Sequence, residues 1–383
     1  MSFHFDAIVI GVGAMGAATC CELAGRGARV LGLEQFGIAN DRGSSHGLSR
    51  MIRLAYYEHP DYVPLLRRAY ERWIELEQLA GQYDILHITG GLFMGPRGSE
   101  LVEASATSAR AHALPHEMLD ATEIRRRFPQ FAIPDDFIGL FEPATGFLSP
   151  ERAITAFARI AMMRGAEIHG HEPAREWTCD AKGVTVRTDV ATYHAAQLIV
   201  CGGPWSTSLL RELGVELNVT RQALGWVWPH EPEIFRLGAM PCWGIGLSDG
   251  SLYYGFPMSA DDPGLKCAHH ARGPVADADR VSREPTREDD ATIQRIVREF
   301  LPRAVGPTVS LRVCLYTNSP DSHFVIGRHP RYERVTIACG FSGHGFKFAS
   351  VVGEILADLT IDGKTSLPAG FLAPTRFGSR PQQ

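Results

Sequence analysis

Short apolar runs that close on glycine recur along this chain, and each reads as a strand delivering a turn. Asp6-Ala-Ile-Val-Ile10 suits a buried parallel strand, and Gly11-Val-Gly13-Ala-Met-Gly16 follows it at once. Ala17 to Gly27 reads as a helix with small residues on its early face, and Ala28-Arg-Val-Leu-Gly-Leu-Glu34 as a second strand ending in an acid. The pattern returns in Gln197-Leu-Ile-Val-Cys201 before Gly202-Gly203-Pro204, with a helix predicted from Ser206. It returns again in Val335-Thr-Ile-Ala-Cys-Gly340 before the glycine-rich stretch Phe341 to Phe348. Helical spacing of Leu65, Leu66, Tyr70, Trp73, Ile74 and Leu76 predicts a helix from about Tyr62. Others are predicted over Glu151 to Met163, behind Pro150, and over Val351 to Leu359. Phe36 to Arg53 is too rich in Gly and Ser for a helix, and Asp261 to Glu288, rich in Asp, Arg, Ala and Pro, reads as a surface excursion.

The first glycine turn has the strand, helix and second strand that a dinucleotide site requires. Gly11 permits the tight turn, Gly13 lets the backbone approach a pyrophosphate, and Gly16 lets helix and strand pack closely. The helix amino terminus supplies unpaired N–H groups and partial positive charge for the phosphates. Glu34, 18 residues after Gly16, is placed to accept hydrogen bonds from a ribose. An acid there favours FAD or NAD over NADP and does not distinguish the first two. Nicotinamide dehydrogenases continue with regular strand and helix units, whereas this chain turns irregular after Glu34. Its polar loop with His46, Arg50 and Arg53 is either a set of contacts to a flavin ring or anionic substrate, or a solvated basic turn.

Composition narrows the partners. Lys and Arg number 38 against 43 Asp and Glu, a net charge of −5, which disfavours nucleic acid or an anionic membrane surface as partner. With 383 residues, 45% hydrophobic and 21% charged, two domains or one elaborate α/β unit are expected. The eight cysteines include no Cys-x-x-Cys pair and no His at zinc spacing, so neither disulfides nor a metal site is expected. No signal-length or membrane-length apolar run occurs, and a cytoplasmic, soluble protein is expected.

Six motifs then occur in a fixed order. They are Gly43-Ser-Ser-His46 with Arg50 and Arg53, Tyr254-Gly-Phe-Pro257, Gly264-Leu-Lys266, Cys314-Leu-Tyr316, Pro320-Asp-Ser-His-Phe324, and Gly340-Phe-Ser-Gly-His-Gly-Phe-Lys347. Together they resemble the monomeric sarcosine oxidase and N-methyltryptophan oxidase family, from the glycine loop to about Phe371, and Phe348-Ala-Ser-Val-Val-Gly-Glu354 looks especially like the N-methyltryptophan oxidase branch. The resemblance implies an α/β + β architecture, a Rossmann-like FAD-binding domain of the glutathione-reductase or D-amino-acid-oxidase kind with a second, mostly antiparallel-sheet substrate domain. The expected division is 1–85, 147–215 and 315–375 for the FAD domain, 86–146 and 216–314 for the substrate domain, and 376–383 as a tail.

The resemblance also implies oxidative demethylation of an N-methyl amino acid, N-methyl-tryptophan or sarcosine, by O2 to the amino acid, formaldehyde and H2O2. A monomer is expected, whose partners are a small secondary amino acid and O2. By the same resemblance Cys314 carries FAD covalently, and His46 and Arg50 support that attachment and place a cation beside the ring. Ser44, Ser45, Gly202, Gly343 and Gly345 are implied near the cofactor. Arg53 and Lys347 match the pair that grips the substrate carboxylate. Lys266 matches the lysine that promotes reaction with oxygen, where positive charge stabilises developing superoxide. Tyr254 and His270 match pocket residues, with the spacing from Lys266 selecting His270 over His269. Tyr316, two residues after Cys314, should face the same side of its strand. The family commonly has Asp-Thr where this chain has Leu48-Ser49, and a histidine where Leu54 stands, departures that bear on pocket polarity. Trp226, Trp228 and Trp243 are either an aromatic surface for an indole or core packing. Two alternatives stand beside this reading: a flavin-dependent dehydrogenase with a non-oxygen acceptor, and a non-enzymatic flavin-binding sensor.

Overall fold

The computed structural model describes residues 4–81, 84–271 and 273–378. Its first elements are β1 (Phe5–Ile10), α1 (Ala14–Gly25) and β2 (Val30–Leu33). Strand β1 pairs in parallel with β2, Ala7 opposite Val30, and with Thr192–Val200, Phe5 opposite Ala195. The helix begins three residues earlier than Ala17 because Gly13 itself occupies the cap position. The second strand is shorter than Ala28 to Glu34. Gly27 turns at φ +83°, and the Asp6 carboxylate takes the Arg29 N–H at 2.8 Å.

The first sheet runs Glu176–Asp180, Gly183–Arg187, Thr192–Val200, β1, β2, Glu167–His169, with Val335–Cys339 beside the end of Thr192–Val200 and Val325–Arg328 beyond it. Helix α1 packs between Pro150–Met163 and Ala349–Ile361. The second contact is close, for a Cβ on Gly353 would lie 2.7 Å from the Ala18 backbone. The helix expected from Ser206 is one turn, Ser206–Leu209.

The second sheet runs Thr308–Asn318, Asn218–Val227, Leu265–His269, Leu252–Gly255, Cys242–Gly246, Gly91–Pro96, Phe137–Glu142, Glu117–Asp120. All neighbours are antiparallel except Cys242–Gly246 and Gly91–Pro96. Helix Arg287–Phe300, closed at its start by a Thr286 and Asp289 capping box, covers this sheet with Ile293, Ile296, Val297 and Phe300. A small third sheet joins Arg50–Ile52, Gly146–Leu148 and Leu86–Ile88.

Asp261 to Glu288 is not all excursion: Leu265–His269 is an interior strand of the second sheet. The lysine at its second position hides a segment whose side chains are buried on both faces. The division expected at 314/315 falls inside Thr308–Asn318, which pairs with Asn218–Val227 from Asn318 to Thr308. The divisions at 85/86 and 146/147 fall at strands of the third sheet, which draws on both sides of each. Of the expected tail 376–383, Arg376 and Phe377 close the turn Pro374–Phe377, and residues 379–383 lie outside the described residues. Among the described residues no helix is long and apolar enough to cross a membrane.

Candidate active site

The three glycines of the first turn differ in what surrounds them. A Cβ on Gly11, at φ +87°, would sit 2.4 Å from the Cys201 carbonyl oxygen, and one on Gly16 would sit 1.8 Å from the Gly11 oxygen. A Cβ on Gly13 would meet nothing within 4 Å. Gly11 and Gly16 therefore serve the turn and the packing, while Gly13 faces open space above the amino terminus of α1, whose cap makes no side-chain hydrogen bond. Glu34 is buried at the end of β2, and its carboxylate accepts from Val12 N at 2.9 Å and Phe36 N at 3.0 Å. Burial pushes its carboxyl up, against those backbone donors. A carboxylate has about four acceptor positions, and these donors do not fill them, which leaves acceptor capacity for a ribose.

From this loop a cavity of about 590 Å³ extends past Gly202 to Cys314 and on to Arg53 and Lys347. Gly11, Gly13, Glu34, Ser44, Ser45, Arg50, Gly202, Gly343 and Gly345 are all on its wall. The open space at Gly13, the uncapped helix end and the acid at β2 fit a dinucleotide cofactor such as FAD in it.

Cys314 is buried mid-strand in Thr308–Asn318, its Sγ 3.5 Å from Arg50 Nη2 and 3.6 Å from the Ser44 oxygen. Arg50 also donates to Ser49 O at 2.9 Å and Ser44 O at 3.1 Å, so its guanidinium ties the serine loop to the cysteine strand. His46 is buried off the cavity wall, and neither ring nitrogen has a hydrogen-bond partner among the described residues. Burial, reinforced by Arg50 and Lys266, lowers its pKa to about 3. The cation expected from the pair is thus Arg50 alone, and His46 is a neutral imidazole.

At the far end Arg53 is buried, with its guanidinium 4.7 Å from the Tyr57 ring and 4.9 Å from the Phe93 ring centre. Its Nη2 donates to Glu58 at 2.9 Å, and its Nη1 lacks a partner among the described residues. Burial opposes ionisation of Glu58, but Arg53, then His344 and Lys347, hold its carboxyl below the usual range. Lys347 lies in the short turn Phe346–Phe348, its Nζ donating to His344 O at 2.8 Å while Trp73 Nε1 anchors its carbonyl at 2.8 Å. Burial lowers its pKa to about 7. Tyr254, Tyr316 and His270 are on the same wall, with His270 Nδ1 3.2 Å from the Tyr316 hydroxyl. Burial lowers the His270 pKa to about 4. His269 instead lies against Tyr253, 4.8 Å between ring centres with the rings tilted by 43°. Gly343, at φ +83°, lies against the Tyr316 ring, where a Cβ would come within 2.4 Å.

Lys266 is brought close to this group without reaching the wall. Its buried Nζ donates to Gly47 O at 2.6 Å, Ser49 O at 2.7 Å and Ser49 Oγ at 3.1 Å, and lies 4.9 Å from the centre of the wall residue Phe256. Burial and the neighbouring Arg50 push its pKa well down. Trp226 and Trp243 are fully buried and Trp228 is exposed, so these three pack or face solvent and none lines the cavity. The aromatic wall includes Tyr57, Phe93, Tyr254, Phe256 and Tyr316 instead. Sequence reasoning missed Glu58, and also Glu142, whose buried carboxylate accepts from the Leu54 and Ala55 N–H groups at 3.0 Å and so holds the backbone after Arg53. An available signal was the run Tyr56-Tyr57-Glu58, which begins three residues beyond Arg53; another was that the chain has only four lysines.

Residues 6–359 match the profile of the family described as FAD dependent oxidoreductase. A monomeric sarcosine oxidase of Streptomyces avermitilis is 42% identical over all of both chains. An N-methyl-L-tryptophan oxidase of Salmonella agona is 36% identical, covering 97% of this chain and 98% of the relative. Among solved structures, the open form of NikD, an unusual amino acid oxidase essential for nikkomycin biosynthesis, superposes with a TM-score of 0.85 at 26% identity, covering 97% of each chain.

Proposed function

Since the chain belongs to the FAD dependent oxidoreductases, and within them to the monomeric sarcosine oxidase and N-methyltryptophan oxidase family of flavoprotein amino-acid oxidases, we propose that it demethylates an N-methyl amino acid with O2. One secondary amine, one O2 and one water would give the primary amino acid, formaldehyde and H2O2. The observation that carries this is one cavity whose wall brings together Arg53 and Lys347, Cys314 and the glycine loop.

Bound FAD supplies what no side chain can, a place for the two electrons and hydrogen that leave the carbon beside the nitrogen. The residues hold the substrate for that transfer. Arg53 and Lys347 take the carboxylate, by a planar fork and a point charge. Tyr254, Tyr316 and a neutral His270 shape the space for the amine, and the carbon-bearing end is directed toward Cys314. Arg50, and Lys266 behind the wall, supply positive charge for negative charge developing during reduction and reoxidation. Gly13, Glu34 and the start of α1 take the dinucleotide, and Cys314 attaches it through a thioether.

Anaerobic mixing with sarcosine or N-methyl-tryptophan is expected to bleach the flavin, and air to restore it with one peroxide formed per turnover. The flavin should stay with the chain under denaturing conditions and come free in Cys314→Ala. Absence of bleaching with every secondary amino acid tried would refute the function, and bleaching without peroxide in air would select the dehydrogenase.

A further inference from the structure

Beside the cavity the loop Gly47-Leu48-Ser49 is held between a carboxylate and an ammonium. On one side Gly47 N donates to Glu151 Oε1 at 2.6 Å, and Leu48 N reaches the two Glu151 oxygens at 3.3 and 3.2 Å. On the other, Lys266 Nζ donates to Gly47 O, Ser49 O and Ser49 Oγ. The loop is bent tightly between them. Ser49 N donates to Gly47 O at 2.8 Å around Leu48 at φ +67°, a γ-turn with positive φ that a leucine rarely adopts. The Gly47–Leu48 peptide turns its N–H to the carboxylate and its C=O to the ammonium, so both ions act favourably on that one dipole. An acid in the first turn of a helix ordinarily stabilises its own helix terminus. Glu151 sits in the first turn of Pro150–Met163, yet its oxygens serve a loop about a hundred residues earlier.

We propose that Glu151 is a positioning residue. Through the 47–49 loop it builds the three-acceptor socket that holds Lys266 as an ammonium, and it sets Arg50, the next residue, against Cys314. This rests on the reading of Lys266 as the cation that speeds reaction with O2.

An ammonium has three donors to match three acceptors, whereas a neutral amine has two. The other groups facing Lys266 are Arg50, Asp262 and Cys314, with His46 and Cys242 also within its field. Glu151 in turn faces Arg312, 4.0 Å away, and Arg50. Burial and Arg50 work against the Lys266 charge, while Asp262 and Glu151 support it. Removing the Glu151 charge therefore lets Lys266 release its proton at lower pH.

The chain's four lysines, Lys182, Lys266, Lys347 and Lys364, make this directly measurable. Holoenzyme carrying 13Cε-lysine should show four titrating signals, with that of Lys266 identified by its loss in Lys266→Met. Glu151→Gln is expected to move the Lys266 midpoint to lower pH by about one unit or more. Reoxidation of reduced flavin by air, which falls as Lys266 deprotonates, should begin to fall at correspondingly lower pH. Glu151→Asp, which keeps the charge with shorter reach, should move both less, and it carries the test if the Gln variant does not fold. A Lys266 midpoint unmoved by either substitution overturns the proposal, as does a Lys266 signal already that of the neutral amine at pH 7 in the native protein. A midpoint that moves while reoxidation does not would leave the Glu151 socket standing and refute the oxygen role of Lys266.

Discussion

Lys347 attracts an anion only while it keeps its proton, and burial has brought its pKa to about 7. As pH rises through that value the ammonium is lost and its hold on a carboxylate goes with it, leaving Arg53, which already shares its charge with Glu58. The affinity of the holoenzyme for a small carboxylate such as acetate should therefore fall as pH rises from 6 to 8. In Lys347→Met the affinity should already be weak at pH 6, by roughly ten- to a hundredfold from about 1.5–3 kcal/mol for a charged hydrogen bond, and it should lose that pH dependence. A variant that kept the native slope would assign the titration to another group. Residue types and motif order made Arg53, Lys347 and Cys314 legible in the sequence. Glu58, Glu142 and Glu151 were not, because a carboxylate that serves a distant loop carries no local mark. The Glu142 and Leu54 pair lies 88 residues apart in the chain. The neutrality of His46 was equally hidden, since it follows first from burial, which its own stretch of sequence does not mark, and then from Arg50 and the distant Lys266.

The glycine loop separates binding from packing within one element. Gly13 has φ −72°, which any residue adopts, and open space where a Cβ would go, whereas Gly16 has the Gly11 oxygen in that place. Gly13→Ala should fold with helix content and melting temperature near those of the native apoprotein and yet be purified with much less FAD. Gly16→Ala should instead lose about 1–3 kcal/mol of stability to overpacking between α1 and its turn. The reverse pattern in melting curves and flavin content would remove the assignment of Gly13 to the phosphates. Strands that end on glycine were read correctly because apolar run and turn are adjacent. Leu265–His269 was missed because a strand buried on both faces, with a lysine inside it, has no alternation to detect. Only its pairing, Trp226 opposite Lys266 and Tyr253 opposite His269, makes it a strand.

Across the whole molecule, burial keeps several imidazoles neutral: His46 with a pKa of about 3, and His270, His329 and His344 at about 4. In the unfolded chain each takes a proton near pH 6.5, so their contribution to stability is complete above that pH and is lost as pH falls from 6.5 toward 4. The loss is at most about 1.4 kcal/mol per histidine per pH unit, and it should appear as a melting temperature that drops steeply below pH 6.5. His344→Gln should flatten that drop, and an unchanged slope would show that His344 is already protonated in the folded state. The same burial explains the division between what each level determined. The sequence by itself determined the dinucleotide turn, the family and the chemical kinds of group available, because those reside in runs, spacings and residue types. The tertiary structure alone decided which groups meet in the cavity, which stay charged, and which acids hold the loops beneath them. Charge, strain and proximity there depend on what two sheets and a helix terminus bring together from opposite ends of the chain, and low dielectric turns each of those meetings into a shift of protonation or position.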